Sequence, residues 1–537
     1  MPVKERILKS IPLSRNGTNL AAAASDVRPG YGLMMRNCYF RRGVQGRYGY
    51  VKHSTNAVTA AKAIVGAHRF YGASALRHLI AVAGTNVKYL NEGTGAWTNI
   101  RTTQTDGLQT YMTTWAAVNR AYIANGTDVP FSWDGTTDAT LTAFPATTRM
   151  LLPYRSRLLF LDSANPTYLR WTDADYVTTG VISTAQAIRM VGGDIQAIAP
   201  HALAGNQEGI NAAVLLFTGS SCAIFFATNL DPASWVQTAG NFGVRLDHLS
   251  DTVGTLSPRT VVSTPAGTIF LGTDKQVYLI PYGSIQIIPI GEVIRSGTTA
   301  SPGIESIPDA QLPKACAAFH DGFYILAYAT SGDTTNSQQM WLDVTRLGKT
   351  ENGEWGPWFG PMTGMSVSCF VTQHGPGDDG RLIAGSGLAD GFVYKGNEKD
   401  TLADNGAAIA VRYQTHHEFL SDSESLNVAM EQMELEMRPM QGSIVGSCQD
   451  TIGPAGQGVT FTPVGTATYW DDAYWGEQDW TGGETPIRGI VRLDDANARG
   501  RQMATEFQFS SATERFELFA LRQEARLVEG TFADASE

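Results

Sequence analysis

Apolar runs of four to seven residues recur along most of this 537-residue chain, each followed by a Gly- or Asp-containing turn and a second short apolar run. Runs that short, bounded by turn residues, predict β-hairpins rather than helices. The clearest units are Leu79 to Leu90, Ala121 to Gly126 leading to Phe131–Gly135, and Arg157 to Asp162 leading to Tyr168–Trp171. Four more follow: Ala213 to Phe226, Thr268 to Ile280, Gly322 to Val344 with its longer loop at Ser331–Ser337, and Arg381 to Tyr394. With Gly84, Gly126, Asp162, Gly219, Gly272, Gly332 and Gly385 as markers, seven units recur at intervals of 36 to 60 residues. Four-stranded propeller blades run to about 40–50 residues and lengthen through their loops. One such sheet cannot bury both of its faces alone, whereas radial repetition packs every sheet between two others. The expectation is an all-β protein, with a six- or seven-bladed β-propeller over 53–410. A pair of β-sandwiches would share the short strands but not so regular a spacing.

The texture changes after Ala410. Val428, Met430, Met433, Leu435 and Met437 interleave with Glu431, Glu434 and Glu436, a strand with one acidic face. Phe507, Phe509, Phe516, Leu518 and Phe519 largely alternate around the turn Ser510–Thr513. Between them lies an aromatic, Gly-rich loop from Tyr469 to Gly483, whose rings either face solvent or fold back onto their own core. Residues 411–537 therefore read as an additional C-terminal β-sandwich-like module, and residues 1–52 as a basic N-terminal arm with strands.

Composition sharpens this division. Hydrophobic residues make up 43% and charged residues 17%, with 56 Gly, which is too apolar for disorder and too Gly-rich for a mainly helical chain. The net charge of -11 is unevenly spread. Residues 1–52 carry ten basic and two acidic side chains, whereas 411–537 carry nine and 21 and contain no lysine. Two ends of opposite charge suit two different sets of neighbours. No apolar run approaches the roughly 20 residues of a membrane helix, and the N-terminus lacks the apolar core of a secretion signal. The expectation is a protein made in a host cytoplasm, with no membrane insertion.

The search for chemistry finds little. Cys38, Cys222, Cys316, Cys369 and Cys448 are scattered and without CxxC spacing, so they read as buried free thiols rather than disulfides or a zinc site. His416-His417 reads as a surface pair, because adjacent strand residues point to opposite faces and cannot share one ion. Asp378-Asp379-Gly380 and Asn91–Thr98 read as turns, and Trp133-Asp134-Gly135 occurs once, too little for a repeat signature. Neither GxSxG, HExxH nor GxxxxGK[ST] occurs. Catalytic residues, metal sites and cofactors are therefore all expected to be none. The densest positive charge is Arg36, Arg41, Arg42 and Arg47, interleaved with Tyr39, Phe40, Tyr48 and Tyr50. Arginine beside aromatics suits a protein interface, a guarded strand edge or nucleic acid.

The opening pattern Pro29-Gly30, Met34, Arg36-Asn37-Cys38-Tyr39-Phe40, Gly43-Val44 and Arg47-Tyr48-Gly49-Tyr50 resembles the start of many phage tail proteins. The order of later features is similar to the blades of the tail nozzle, or packaged-DNA stabilisation, proteins of short-tailed phages (podoviruses). These features are Asn241-Phe242-Gly243, Gly254-Thr255 and Pro258, then Ile269–Asp274 with Val277-Tyr278. Glu292–Ser296 follows, and Met340–Val344 leads to Trp355-Gly356-Pro357-Trp358. The resemblance implies a structural virion protein without catalytic residues, in a homohexameric, six-fold ring beneath the head-to-tail adaptor. Such a ring retains the packaged genome and passes double-stranded DNA through its lumen on ejection, in contact with tail fibres or spikes and a needle or plug. On this reading Arg36, Arg41, Arg42 and Arg47 form a subunit or adaptor interface, and acidic residues of the last module or blade loops line a lumen that repels phosphate. The rival is a propeller glycosidase or depolymerase acting on host-surface polysaccharide, which needs two carboxylates about 5–10 Å apart in a cleft.

Overall fold

The computed structural model describes residues 6–527 apart from 74–75, 174–175, 181, 184–185, 203–211, 228–234, 236–242, 351–352, 375–377, 379, 400, 420–427, 439, 441, 451–458, 463–486, 493–498 and 501. Among these residues seven four-stranded antiparallel sheets follow one another along the chain. Blade 1 comprises Ile64–Tyr71, Arg77–Ala83, Asn86–Asn91 and Ala96–Arg101, and blade 2 comprises Tyr111–Trp115, Arg120–Ala124, Phe131–Trp133 and Asp138–Thr140. Blades 3, 4 and 5 begin at Thr148–Tyr154, Ala197–Ala202 and Val262–Thr264. Blade 6 is Cys316–His320, Phe323–Tyr328, Gln338–Asp343 and Trp358–Met362. Blade 7 is Val367–Gln373, Arg381–Ser386 and Val393–Gly396, and its fourth strand, Tyr50–Lys52, comes from before blade 1. Five of the seven sequence markers fall in the turn between a blade's second and third strands, and Asp162 and Gly385 lie at the end of the second strand.

Closure of the ring is visible in its apolar cores. The second strand of blade 1 sends Leu79, Ala81 and Ala83 toward Cys369, Val371 and Ile383 of blade 7, and Ile80 and Val82 toward Ile123 and Phe131 of blade 2. Blade 3 repeats the division: Leu158 and Phe160 join the blade 2 core, and Leu159 and Leu161 the blade 4 core. A strand buried on both faces loses polar alternation, and this is why each unit reads as a continuous apolar run. Cores between blades 4 and 5, 5 and 6, and 6 and 7 complete the circle. The fold is thus a seven-bladed propeller.

The remaining strands form a two-sheet sandwich built from both ends of the chain. Sheet A runs in the order Cys38–Phe40, Val44–Gly46, Glu517–Leu527, Val428–Met437, Ile487–Arg492, with Arg6–Ser10 also paired to Glu517–Leu527. Sheet B runs Gly32–Arg36, Ala407–Thr415, Gln502–Ser511, Ile444–Asp450, Val459–Phe461. Gln502–Ser511 and Glu517–Leu527, adjacent in sequence, lie in opposite sheets, so the turn between them crosses the sandwich. Met433, Leu435, Phe507, Phe509, Phe516 and Leu518 fill its interior.

The boundaries drawn from sequence shift accordingly. Residues 1–52 are not a separate arm: their strands complete sheet A, sheet B and the last blade. The sandwich takes up the chain again at Ala403–Asp404, ahead of residue 411. Charge counting separated the two ends because it is blind to pairing between segments hundreds of residues apart.

Candidate functional site

The four arginines of the N-terminal motif converge on the seam between sandwich and propeller. The hairpin of Cys38–Phe40 and Val44–Gly46 presses Tyr39 between the rings of blade 6, with centroids 5.4 Å from Phe323 and 5.7 Å from Trp341. Tyr39 is 3% exposed, and one core joins Met35, Cys38 and Val44 to Phe323, Trp341, Phe359 and Leu382. The lower half of blade 6 is therefore covered by the sandwich, while Cys316 and Ala327 pack on Val367 and Ala384 of blade 7.

Arg47 sits beneath this wedge with its side chain 1% exposed, opposite Asp404 at 9%. Its Nε donates to Asn37 Oδ1 (3.0 Å), Nη1 to Tyr48 O and Asp404 Oδ1 (both 2.9 Å), and Nη2 to Thr363 O and Asp404 Oδ2 (both 2.5 Å). Five bonds match the five guanidinium donors, the condition under which a buried cation is tolerated. Asp404 Oδ1 also accepts from Tyr50 N at 3.2 Å. Glycine is required at position 364, where φ is +105° and a Cβ would stand 2.3 Å from Asp404 Oδ2. The node links the entry to the propeller's closing strand with the start of the sandwich's C-terminal half.

The other three arginines differ. Arg41 donates to Asp321 Oδ2 at 2.7 Å and lies over the Phe323 ring at 5.4 Å. Arg36 donates to Ala300 O, and burial, together with Arg412 nearby, lowers its pKa. Arg42, at the hairpin tip, is exposed and has no hydrogen-bond or ion-pair partner among the described residues. As a solvent-facing interface the four are not equivalent: Arg47 is internal, Arg36 and Arg41 are tied to the propeller, and Arg42 alone is unengaged. Sequence reasoning missed Arg346, which pairs with Asp343 (2.7 Å) and donates to Phe40 O (2.9 Å) and Arg15 O (3.2 Å). A lone arginine after a strand carries no sequence signal for that role.

The acidic face expected on Val428–Met437 is an ion-pair ladder. Glu431 faces Arg6 (3.7 Å) and Arg526 (3.4 Å), Glu434 faces Arg522 (3.1 Å), and Glu524 faces Arg6 (3.1 Å). These glutamates are neutralised within the chain. The aromatic loop Tyr469–Gly483 lies outside the described residues, as do Asn241, Phe242 and Asp379.

The propeller axis is crossed at one end by Arg259, which comes from the segment leading into blade 5. Its guanidinium donates to Ser368 O (3.1 Å), Val65 O and Thr110 O (3.1 Å), on blade 7, blade 1 and the entry to blade 2. It stacks on Tyr111 at 5.4 Å. Carbonyls at the starts of the inner strands thus share one cation.

The titratable groups among the described residues are mostly buried or paired. Burial pushes all five thiols up, away from the reactive thiolate. No three His, Cys, Asp or Glu among the described residues are grouped to hold a metal. His416 is buried rather than on the surface; its Nε2 lies 2.6 Å from Glu418. Although burial alone would raise Glu418, hydrogen bonds from His416 and Lys9 hold it below the usual carboxylate value. Asp378 likewise accepts from Arg69 and from the Tyr71 hydroxyl, which pins the turn rather than freeing a catalytic acid. A cavity of about 510 Å³ at the ends of the inner strands of blades 3 to 5 is lined by Leu152, Tyr154, His201, Val214 and Tyr282 among others. No described carboxylate lines it.

No protein-family model matches the sequence, and no curated protein does. Among solved structures, BBS1N in complex with ARL6DN is similar with a TM-score of 0.39 and 8% identity, over 66% of this chain and 98% of that one. YCF48 bound to D1 peptide gives 0.35 and 10%, over 65% and 97%. A chain of the mitotic checkpoint complex gives 0.38 and 11%, over 65% and 93%. At these TM-scores and identities the likenesses transfer neither activity nor partner, and the propeller stands on the chain's own seven sheets and the cores between them.

Proposed function

We propose that this chain is a structural virion protein: the nozzle subunit of a short phage tail, six copies of which ring the channel below the head-to-tail adaptor. The observation that carries the reading is the position of the N-terminal motif, which resembles the start of many phage tail proteins. Asn37, Tyr39, Arg47 and Tyr50 splice the sandwich to the propeller, so the motif builds scaffold rather than a reaction centre. Among the described residues, later features of the resemblance also make framework contacts. Thr255 donates to Leu271 O at 2.6 Å, Tyr278 to Asp274 at 2.6 Å, and Trp358 to Ile290 O at 2.7 Å.

In this role the ring retains the packaged genome and conducts it on ejection. Because Arg259 crosses the propeller's own axis, the passage lies between copies, around the axis of the ring. The partners are the other copies, the adaptor, the fibres or spikes and the plug, with DNA in transit. Heads assembled without this chain test the reading: they are expected to package DNA and then expose it to added nuclease, with protection restored by the purified chain. Full protection without the chain, or breakdown of host capsule polysaccharide by the purified chain, would overturn it.

A further inference from the structure

Two strands of sheet A, Arg6–Ser10 and Ile487–Arg492, have no described neighbour on their outer sides. Glu517–Leu527 and Val428–Met437 lie between them, and every pairing across the four strands is antiparallel. Strand direction therefore reverses at each of the three pairings, and the two edges run in opposite directions. If Ile487–Arg492 of one copy is set beside Arg6–Ser10 of the next, the new pair is again antiparallel and the ladder continues unchanged.

Exposed edges are usually guarded by charge, because an unpaired row of N–H and C=O groups templates association. Here the charged side chains of the first edge are engaged within the chain, although Arg6 remains 70% exposed. Lys9 bonds Glu418 Oε1 (2.6 Å) and Phe419 O (2.5 Å), and Arg6 reaches over the sheet to Glu431 and Glu524. What each edge presents outward is an aliphatic side chain: Leu8 at 61% exposure and Ile490 at 64%. The register puts both on one face, since Leu8 stands opposite Glu524 and that residue opposite Gln432, while Ile490 stands opposite Glu434 and that residue opposite Arg522. The outer face of sheet A is thus an ion-pair ladder with one uncovered aliphatic at each margin.

We propose that these two edges bind each other between copies of this chain, joining subunits head to tail through a continuous sheet. The contact is heterologous, because different surfaces meet, and such contacts propagate into a closed ring when the rotation closes. A two-fold pairing of like edges would stop at two copies. The inference rests on the ring reading above and names the surface that makes the ring.

The test uses the full chain, whose five native cysteines are buried. Leu8→Cys and Ile490→Cys proteins are prepared separately, mixed alone or with the adaptor ring, and treated with a short bis-maleimide. The account predicts cross-links between the two variants and none within either alone, and a ladder up to six copies for the double variant. Cross-links only between like variants, or a six-membered ring without cross-links, would overturn the edge pairing while leaving the ring reading intact. A chain that stays monomeric on the adaptor would overturn both.

Discussion

The propeller and the sandwich reach stability by different routes. In the propeller every sheet but the last is local in sequence and each packs on two similar neighbours, so apolar hairpins at regular spacing suffice. The sandwich draws its strands from residues 6–46 and 403–527, and its core is continuous with blade 6. It depends on specific polar ties where the propeller depends on repetition. A buried arginine with five hydrogen bonds to four residues holds the splice, while exposed ion pairs decorate the outer face. The difference teaches that the seam, not the blades, is where single substitutions do most damage.

The largest effect is expected at that seam. Asp404→Ala leaves Arg47 buried without its counter-ion and should cost about 3–5 kcal/mol, read as a lowered denaturation midpoint; Arg47→Met with Asp404→Leu should recover much of the loss. Tyr39→Ala removes the wedge between Phe323 and Trp341. A loss of about 3 kcal/mol or more is expected, with the unfolding transition splitting into separate sandwich and propeller steps. If one sharp transition persists, the two regions are less dependent on the wedge than their shared core implies.

Acid sharpens the comparison from the propeller side. Burial, as the leading cause, lowers His53, His68, His201 and His320 to about 4. All four lie in or beside blades 1, 4, 6 and 7, and an unfolded histidine titrates near 6.5. The unfolded chain therefore binds more protons between those values, so stability is complete above about pH 6.5 and falls as pH drops toward 4. The thermal midpoint should follow that slope, and His201→Gln with His320→Gln should flatten it. A flat profile in the parent chain would contradict the burial of these rings. The smallest effect is expected on the ladder: Arg522→Ala should change stability by less than about 1 kcal/mol.

The repeat was legible because a strand buried on both faces leaves an uninterrupted apolar run. Ile80 and Val82 face one neighbour and Leu79 and Ala81 the other, so the markers that end such runs lie in or at the edge of the turns. Tyr50–Lys52 as the closing strand was not legible, because three residues carry no period. Nor were the partners of Arg47 and of the glutamates on Val428–Met437, since long-range pairing leaves no mark on local composition. Arg36, Arg41, Arg42 and Arg47 were expected at an interface with another subunit or the adaptor; Arg47 is instead buried at a junction within the chain, and its partners there left no local signal.

Averaged images of the isolated tail, with this chain carrying a density label at exposed Arg42, test the central claim most directly. The account predicts six labels on a ring immediately below the adaptor, each beside a seven-bladed disc, with the DNA path on the ring axis. A label on peripheral fibres, or a symmetry other than six, would contradict it.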